Sequence, residues 1–291
     1  MGWSSVATWA CIVAGAALLV AFVRVELRVA DPLIELRIFT HRGFAVDNVV
    51  LFLICACFVP LFFFASVYAQ VVLSYTAAKT GLYILLIFAG FATASQIGGR
   101  IVDRRGARPA ALAGSVLGAV GFWLWAGHLQ KGLGSQWYWI VLAGAGIGLA
   151  LTPVSTDAIN RAPRGSYGEV TGVTQTVRYF ASSLGLAVLG TILIDQTHAD
   201  IVGSLTREGA PKSVADQVAS AFNSGSASRP ASASDLATIQ HDFAQATRIV
   251  YLGMAVAMAA SIVAAWFMER GVPDEVAAAA SEQLSPETAS A

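Results

Sequence analysis

Seven stretches of this chain are long and apolar enough to cross a lipid bilayer, and they limit its fold more than any motif does. They fall at about 5–23, 44–70, 80–98, 109–128, 136–156, 170–194 and 246–268. Each approaches the roughly 20 apolar residues that a spanning helix needs. A helix satisfies its backbone hydrogen bonds internally, so it is the form such runs take in hydrocarbon. The 44–70 run exceeds the requirement, which allows tilt without fixing an angle. Composition agrees: 56% of residues are apolar and only 12% charged, against about 25% charged in soluble domains. The fold class read from this is an all-α polytopic membrane protein with seven transmembrane helices. A formal net charge of +0 argues against nucleic acid as a partner. Cys11, Cys55 and Cys57 lie inside apolar runs and read as small buried hydrophobes. No disulfide framework or zinc-ligand spacing is present.

Basic residues set an orientation. Arg24, Arg28, Arg37, Arg42, Arg100, Arg104, Arg105, Arg108, Arg161, Arg164 and Arg270 fall on one side of the predicted spans. The short connections opposite hold Lys79 and Lys131, with Arg248 at the mouth of the last span. The positive-inside rule then places the N-terminus outside and the C-terminus in the cytoplasm of a plasma (inner) membrane. The first run has no basic residue before it and Arg24 and Arg28 after it, the reverse of a signal peptide. A long outer connection, 195–245, is rich in Ser, Ala and Gly, and 224–234 reads as flexible linker. Within it, 214–222 has an amphipathic turn or two suited to the membrane surface or the mouth of a pore. The polar, Ala-rich end of the chain reads as a disordered tail.

The chemistry-bearing residues are few. Between the third and fourth spans stands Gly99-Arg-Ile-Val-Asp103-Arg104-Arg-Gly106-Ala-Arg108-Pro109. Gly99 and Gly106 suit tight turning and close helix approach. Asp103 suits pairing with an arginine or accepting from helix-end amides, and Pro109 suits a first helical turn. Arg178 is the one basic residue well inside a predicted span, where a charge costs roughly 2.5–3.5 kcal/mol on insertion scales. It shares a polar and small stripe with Thr171, Thr174 or Gln175, Ser182 and Gly185. That stripe suits a transport path or helix packing; the alternative is an arginine snorkelling to the interface. Asn48, Gln70, Gln175 and Arg178 are the transport-path candidates, although Asn48 and Gln70 equally suit capping or bridging. Asp47 is the proton-coupling candidate, with stabilisation by the helix dipole as its plainer explanation. Asp157, Glu169 and Asp195 lie near helix ends, within reach of water, and read as poor proton carriers.

Gly114-x-x-x-Gly118 and Gly144-x-x-x-Gly148 are small-residue faces for close helix packing. Pro153 is expected to kink or break its helix. Phe52, Phe58, Phe62, Phe63, Phe64 and Tyr68 read as one broad surface, facing lipid or lining a greasy cavity. No serine elbow, zinc-protease helix, P-loop lysine or intramembrane aspartate pair occurs, so the chain reads as no enzyme. It carries no cofactor or metal motif.

The Gly-x-x-x-Asp-Arg-x-Gly-x-Arg spacing resembles the signature loop of the major facilitator superfamily. The resemblance extends to Phe44-Ala-Val-Asp47-Asn48 and to Tyr68-Ala-Gln70. It also takes in Gly144-Ala-Gly146-Ile-Gly148 with Pro153, and Thr174-Gln-Thr-Val-Arg178 through Gly185 and Gly190. These are similar to the second half of fourteen-helix drug:proton antiporters. The resemblance implies a linking transmembrane helix at 1–28 and a six-helix half-bundle at 44–268, with an outer loop at 196–245. A cytoplasmic tail at 269–291 completes this division. It implies that Gly99, Asp103, Arg104, Gly106 and Arg108 act in switching between access states rather than in binding substrate. Small amphiphilic or drug-like substrates, protons and membrane lipid are the implied partners. So is a preceding six-helix half, because alternating access needs two bundles. On this reading the chain is half of a proton-driven exporter. The alternative is a half-size membrane protein that does not transport alone and acts through a partner half.

Overall fold

The computed structural model describes residues 6–26, 28–29, 41–129, 133–161, 167–207, 211–223 and 233–271. They form eight helices and, among the described residues, no strand. These are α1 (Val6–Glu26), α2 (Arg42–Val71), α3 (Ala77–Arg105), α4 (Ala107–Ala126), α5 (Leu133–Asn160), α6 (Tyr167–Arg207), α7 (Lys212–Asn223) and α8 (Ala233–Trp266). All but α7 are long and apolar enough to cross a membrane. The expected all-α polytopic architecture is what the chain adopts.

Only 6% of the α1 span is buried, against 50% for α2. Its apolar surface is therefore left to lipid or to protein outside these helices. Cys11 is exposed on α1, contrary to the expectation of burial, while Cys55 and Cys57 are buried in α2. The other long helices share one core. There α5 packs on α3 and α4, α4 on α8, and α2 on α6 and α8. Trp125, Tyr68, Tyr83, Tyr251, Phe64 and Phe122 are its largest fully buried side chains. Trp125 and Tyr251 join α4 to α8 with ring centroids 4.4 Å apart.

The close approach of α5 to two neighbours follows from its glycines. Gly144 and Gly148 lie one turn apart and meet the backbone of Ile87 and Phe91 on α3. Gly146 sits between them in sequence but on another side of the helix, against Gly118 and Gly114 on α4. At these points a side chain would occupy the space of a neighbouring backbone, so small residues set the interaxial distance.

The expected break at Pro153 does not occur, and α5 continues to Asn160. The proline ring faces Gly98 of α3, whose lack of a side chain accommodates it. The expected connection at Gly99–Pro109 is also mostly helical. Here α3 runs to Arg105, α4 starts at Ala107, and Gly106 alone breaks the path at φ 78°. The aromatic surface expected on α2 divides. Phe64 and Tyr68 are core residues, and Phe63 is exposed. Phe58 and Phe62 pack in a ring cluster with Phe88 and Phe91 of α3.

The long connection expected at 195–245 is, in its described parts, helical. With 41 and 34 residues, α6 and α8 are about 60 and 50 Å long, well beyond a hydrocarbon core of about 30 Å. Leu193, Thr197, Ile201 and Ser204 continue a buried stripe along α6. Ala219 of α7, Ile201 of α6 and Ile239 of α8 form a separate small core with Val202, Leu205 and Val218. Gln240 of α8 donates to the Val71 carbonyl at 3.1 Å and to Ser74 Oγ at 3.0 Å, tying this cap to the end of α2. The Ser/Ala/Gly composition suggested a loop because hydropathy there is low. Alanine is nevertheless the best helix former, and the sparse apolar stripe suffices to pack three helices. Thus α7 lies on α6, beside α8, rather than free on a surface. Residues 224–232 of the expected linker, Arg37, Lys131 and Arg164, and positions 272–291 of the expected tail lie outside the described residues.

Candidate functional site

Three ion pairs occur among the described residues, and all converge on Arg161. This residue follows the last turn of α5, where its backbone N–H still donates to the Asp157 carbonyl. Its Nε donates to Asp157 Oδ2 at 2.8 Å, one turn back on the same helix. The same Nε stands 3.6 Å from Asp47 Oδ2 on α2, an ion pair too long for a hydrogen bond. Its Nη1 donates to Glu269 Oε2, just past α8. The side chains of Asp47 and Asp157 are 0% and 1% exposed, against 12% for Arg161 and 50% for Glu269. The two aspartates are therefore out of water while Glu269 borders it. Neither oxygen of Asp47 receives a hydrogen bond among the described residues. Gly43 leaves room for the cluster, since a side chain there would meet Glu269 and Arg161.

This changes the reading of two residues. Asp47 lies beyond the first turn of α2, which holds no acidic residue. Its partners, rather than the helix dipole, explain its place. Asp157 is not near water, as its position by a helix end suggested, but buried against Arg161. The signal available in sequence was the Asp157–Arg161 spacing of four, which puts both on one helix face. Nothing local announced Glu269, 108 positions away.

The same end of the bundle holds the Gly106 corner. Gly106 is buried, and its Cα faces the carbonyl of Gly271. Arg108 on α4 lies over the Trp266 ring, 5.2 Å from its centroid, a cation–π contact. Residues 266–271 therefore form a strap that touches Arg108 and Gly106 at one side and Arg161 at the other. Asp103 and Arg104 are exposed in the last turn of α3, and Gly99 is half-buried. A carboxylate in a last helical turn opposes the helix dipole, so Asp103 is not there to stabilise α3.

Arg178 sits on α6, with its Nη1 donating to Gln175 Oε1 at 3.0 Å. One turn on, Ser182 Oγ donates to the Cys55 carbonyl at 3.1 Å, and Gly185 meets the backbone of Ala56. Phe52 and Phe180 close this seam with ring centroids 6.3 Å apart. The stripe expected around Arg178 thus packs α6 on α2 through Ser182 and Gly185, and leaves the guanidinium half-buried. The other path candidates do not gather there. Asn48 is buried and donates to its own helix at the Phe44 carbonyl, 2.9 Å away. Gln70 is exposed and donates to Ser66 Oγ at 3.0 Å, about 33 Å along α2 from Asn48. Among the described residues no group of His, Cys, Asp or Glu has a metal-binding arrangement.

Residues 1–186 match the family model of the Major Facilitator Superfamily. The chain belongs to the major facilitator superfamily. It is 28% identical over 207 residues to "Multidrug resistance protein Stp" of Mycobacterium tuberculosis, an alignment covering 71% of this chain and 38% of that protein. It is 32% identical over 226 residues to "Cephamycin export protein CmcT" of Amycolatopsis lactamdurans, covering 76% and 44%. With the "Tetracenomycin C resistance and export protein" of Streptomyces glaucescens the identity is 24% over 193 residues, covering 66% and 36%. This superfamily member spans less than half the length of each of these relatives. Its apolar helices make it a multi-pass membrane protein.

Proposed function

We propose that this chain is the C-terminal half of an exporter of amphiphilic or drug-like compounds, driven by protons and working by alternating access. The observation that carries the reading is the superfamily match together with relatives named for multidrug resistance and antibiotic export. The seam of α2 and α6 supports it, with aromatic rings and one half-buried guanidinium, Arg178, beside a polar Gln175. In this scheme α1 is a linking helix, and α2 to α6 with α8 form one six-helix half. The N-terminus is outside and the C-terminus in the cytoplasm of the plasma membrane. A second six-helix half supplies the facing wall of the substrate cavity. Asp103, Arg104 and Arg108 then serve the switch between access states, and Asp47 is the proton-coupling candidate. The exposed carboxylate of Asp103, unfavourable to its own helix, suits a contact with that second half.

An immunoblot of native membranes with an antibody against positions 271–291 tests the assembly. A band near twice the 30.4 kDa of this chain supports the exporter half. A band at the chain's own mass, with no drug efflux above a deletion strain, overturns it in favour of a non-transporting half that acts through a partner. Within the intact exporter, Asp103→Asn is expected to cripple efflux at unchanged membrane abundance. Efflux equal to the parent's would remove the switching role. Arg178→Ala is expected to impair efflux if the guanidinium lines the path. Near-normal efflux would leave Arg178 as an arginine that snorkels to the interface.

A further inference from the structure

We infer that Asp47 and Asp157 form a single proton-binding site, one proton shared between two buried carboxylates under the Arg161 guanidinium. The inference rests on the exporter reading only for its role in transport, not for the existence of the site. Charge and geometry carry it. Among the described residues, the buried part of the cluster holds two carboxylates and one guanidinium, so it is neutral with one proton and carries an unpaired negative charge without one. Arg161 Nε is committed to Asp157 at 2.8 Å and stands 3.6 Å from Asp47. Among the described residues, fully buried Asp47 is therefore left without a hydrogen-bond donor on either oxygen. The Oδ2 atoms of Asp157 and Asp47 face the same Arg161 Nε from two helices, which brings the two carboxylates together. A buried carboxylate with no donor is costly, and a proton held between the two carboxyls removes that cost. Like-charged carboxylates that share a site take up their protons in two separate steps that belong to the pair, the first far more readily than the second.

The surroundings give the site an entrance and a lever. Half-exposed Glu269 bonds the outer side of Arg161 and is the acid nearest to water. Among the described residues, the other charged or titratable groups at this end include Glu169 on α6, exposed Arg42 and His41 at the start of α2, exposed Arg270, and Asp103, Arg104, Arg105 and Arg108 around the Gly106 corner. Binding moves a proton from solution onto a carboxylate oxygen of the pair, and release returns it. In the deprotonated pair Arg161 has two buried carboxylates to satisfy, so it is drawn towards Asp47. That motion pulls on the strap at Glu269, whose neighbours Trp266 and Gly271 hold Arg108 and the Gly106 corner. Proton occupancy is thereby linked to the segment assigned to access switching.

The test begins with the full chain purified in nanodiscs and titrated across the neutral pH range by infrared difference spectroscopy. A protonated-carboxyl C=O band that disappears as pH rises is expected, absent in Asp47→Asn and absent or displaced in Asp157→Asn. No such band, or one retained in both variants, overturns the site. Size-exclusion profiles check that the variants fold, and Asp47→Glu, which keeps a carboxyl, is expected to restore the band. The second arm uses the intact exporter. Asp47→Asn is expected to retain substrate exchange without a pH gradient while losing uphill efflux driven by one. Uphill efflux at the parent's level would overturn the coupling role. If no variant or parent exports any drug, the exporter reading fails, and the spectroscopic result still decides the site.

Discussion

Gly146→Val is expected to destabilise the bundle more than any other single glycine replacement in α5. A side-chain carbon at Gly146 would enter the backbone of Gly118 and approach the Gly114 carbonyl oxygen to 2.9 Å. Neither neighbour is the movable end of a long side chain, so relief requires α4 and α5 to separate. Separation would also open the contacts of Gly114 with Ala150 and of Gly121 with Ala143 along the same seam. Overpacking of a well-filled core costs typically 1–3 kcal/mol, and a backbone obstacle puts this case at about 3 kcal/mol or more. The expected result is a large loss of monodisperse protein and a lowered thermal unfolding midpoint in detergent. Gly172→Ala is the control: nothing stands within 4 Å of that position, and alanine favours a helix by up to about 1 kcal/mol. A Gly146→Val protein as stable as its parent would contradict the α4–α5 packing.

Arg161→Ala is the second large effect. It removes the one guanidinium among the described residues that faces buried Asp47 and Asp157, and releases Glu269 from the end of α5. Breaking a buried ion pair from one side costs about 3–5 kcal/mol, because the remaining charge stays buried and unpaired. Removing all the charges together costs less, since the pair has already lost its hydration in the folded protein. The variant Asp47→Asn/Asp157→Asn/Arg161→Met is therefore expected to unfold at a higher temperature than Arg161→Ala alone. If the triple variant were the less stable one, the cluster's cost would not be electrostatic. The comparison reads coupling among neighbours, where single-site effects do not add.

Much of this protein was legible before its structure. The number and places of the spanning helices follow from run length, because hydrocarbon admits a lone helix only if it is apolar over the bilayer thickness. The glycine pairs at 114/118 and 144/148 announced close packing, and the spacing around Asp103 announced the superfamily. Arg178 was legible as a polar intrusion in an apolar helix, together with the Ser182 and Gly185 that pack beside it. Three-dimensional contact decided the rest. Which glycine meets which neighbour depends on the rotation of α5, so Gly146, inconspicuous between two others, proves to face α4. The helical cap built by α6, α7 and α8 was hidden because low hydropathy resembles a loop until a sparse apolar stripe finds partners from distant segments. In the sequence, Asp47 and Asp157 stood as separate charges near helix ends, with nothing to join both of them to Arg161 and Glu269. Their convergence depends on long-range packing of α2, α5 and the end of α8, and only that packing excludes water from the two aspartates.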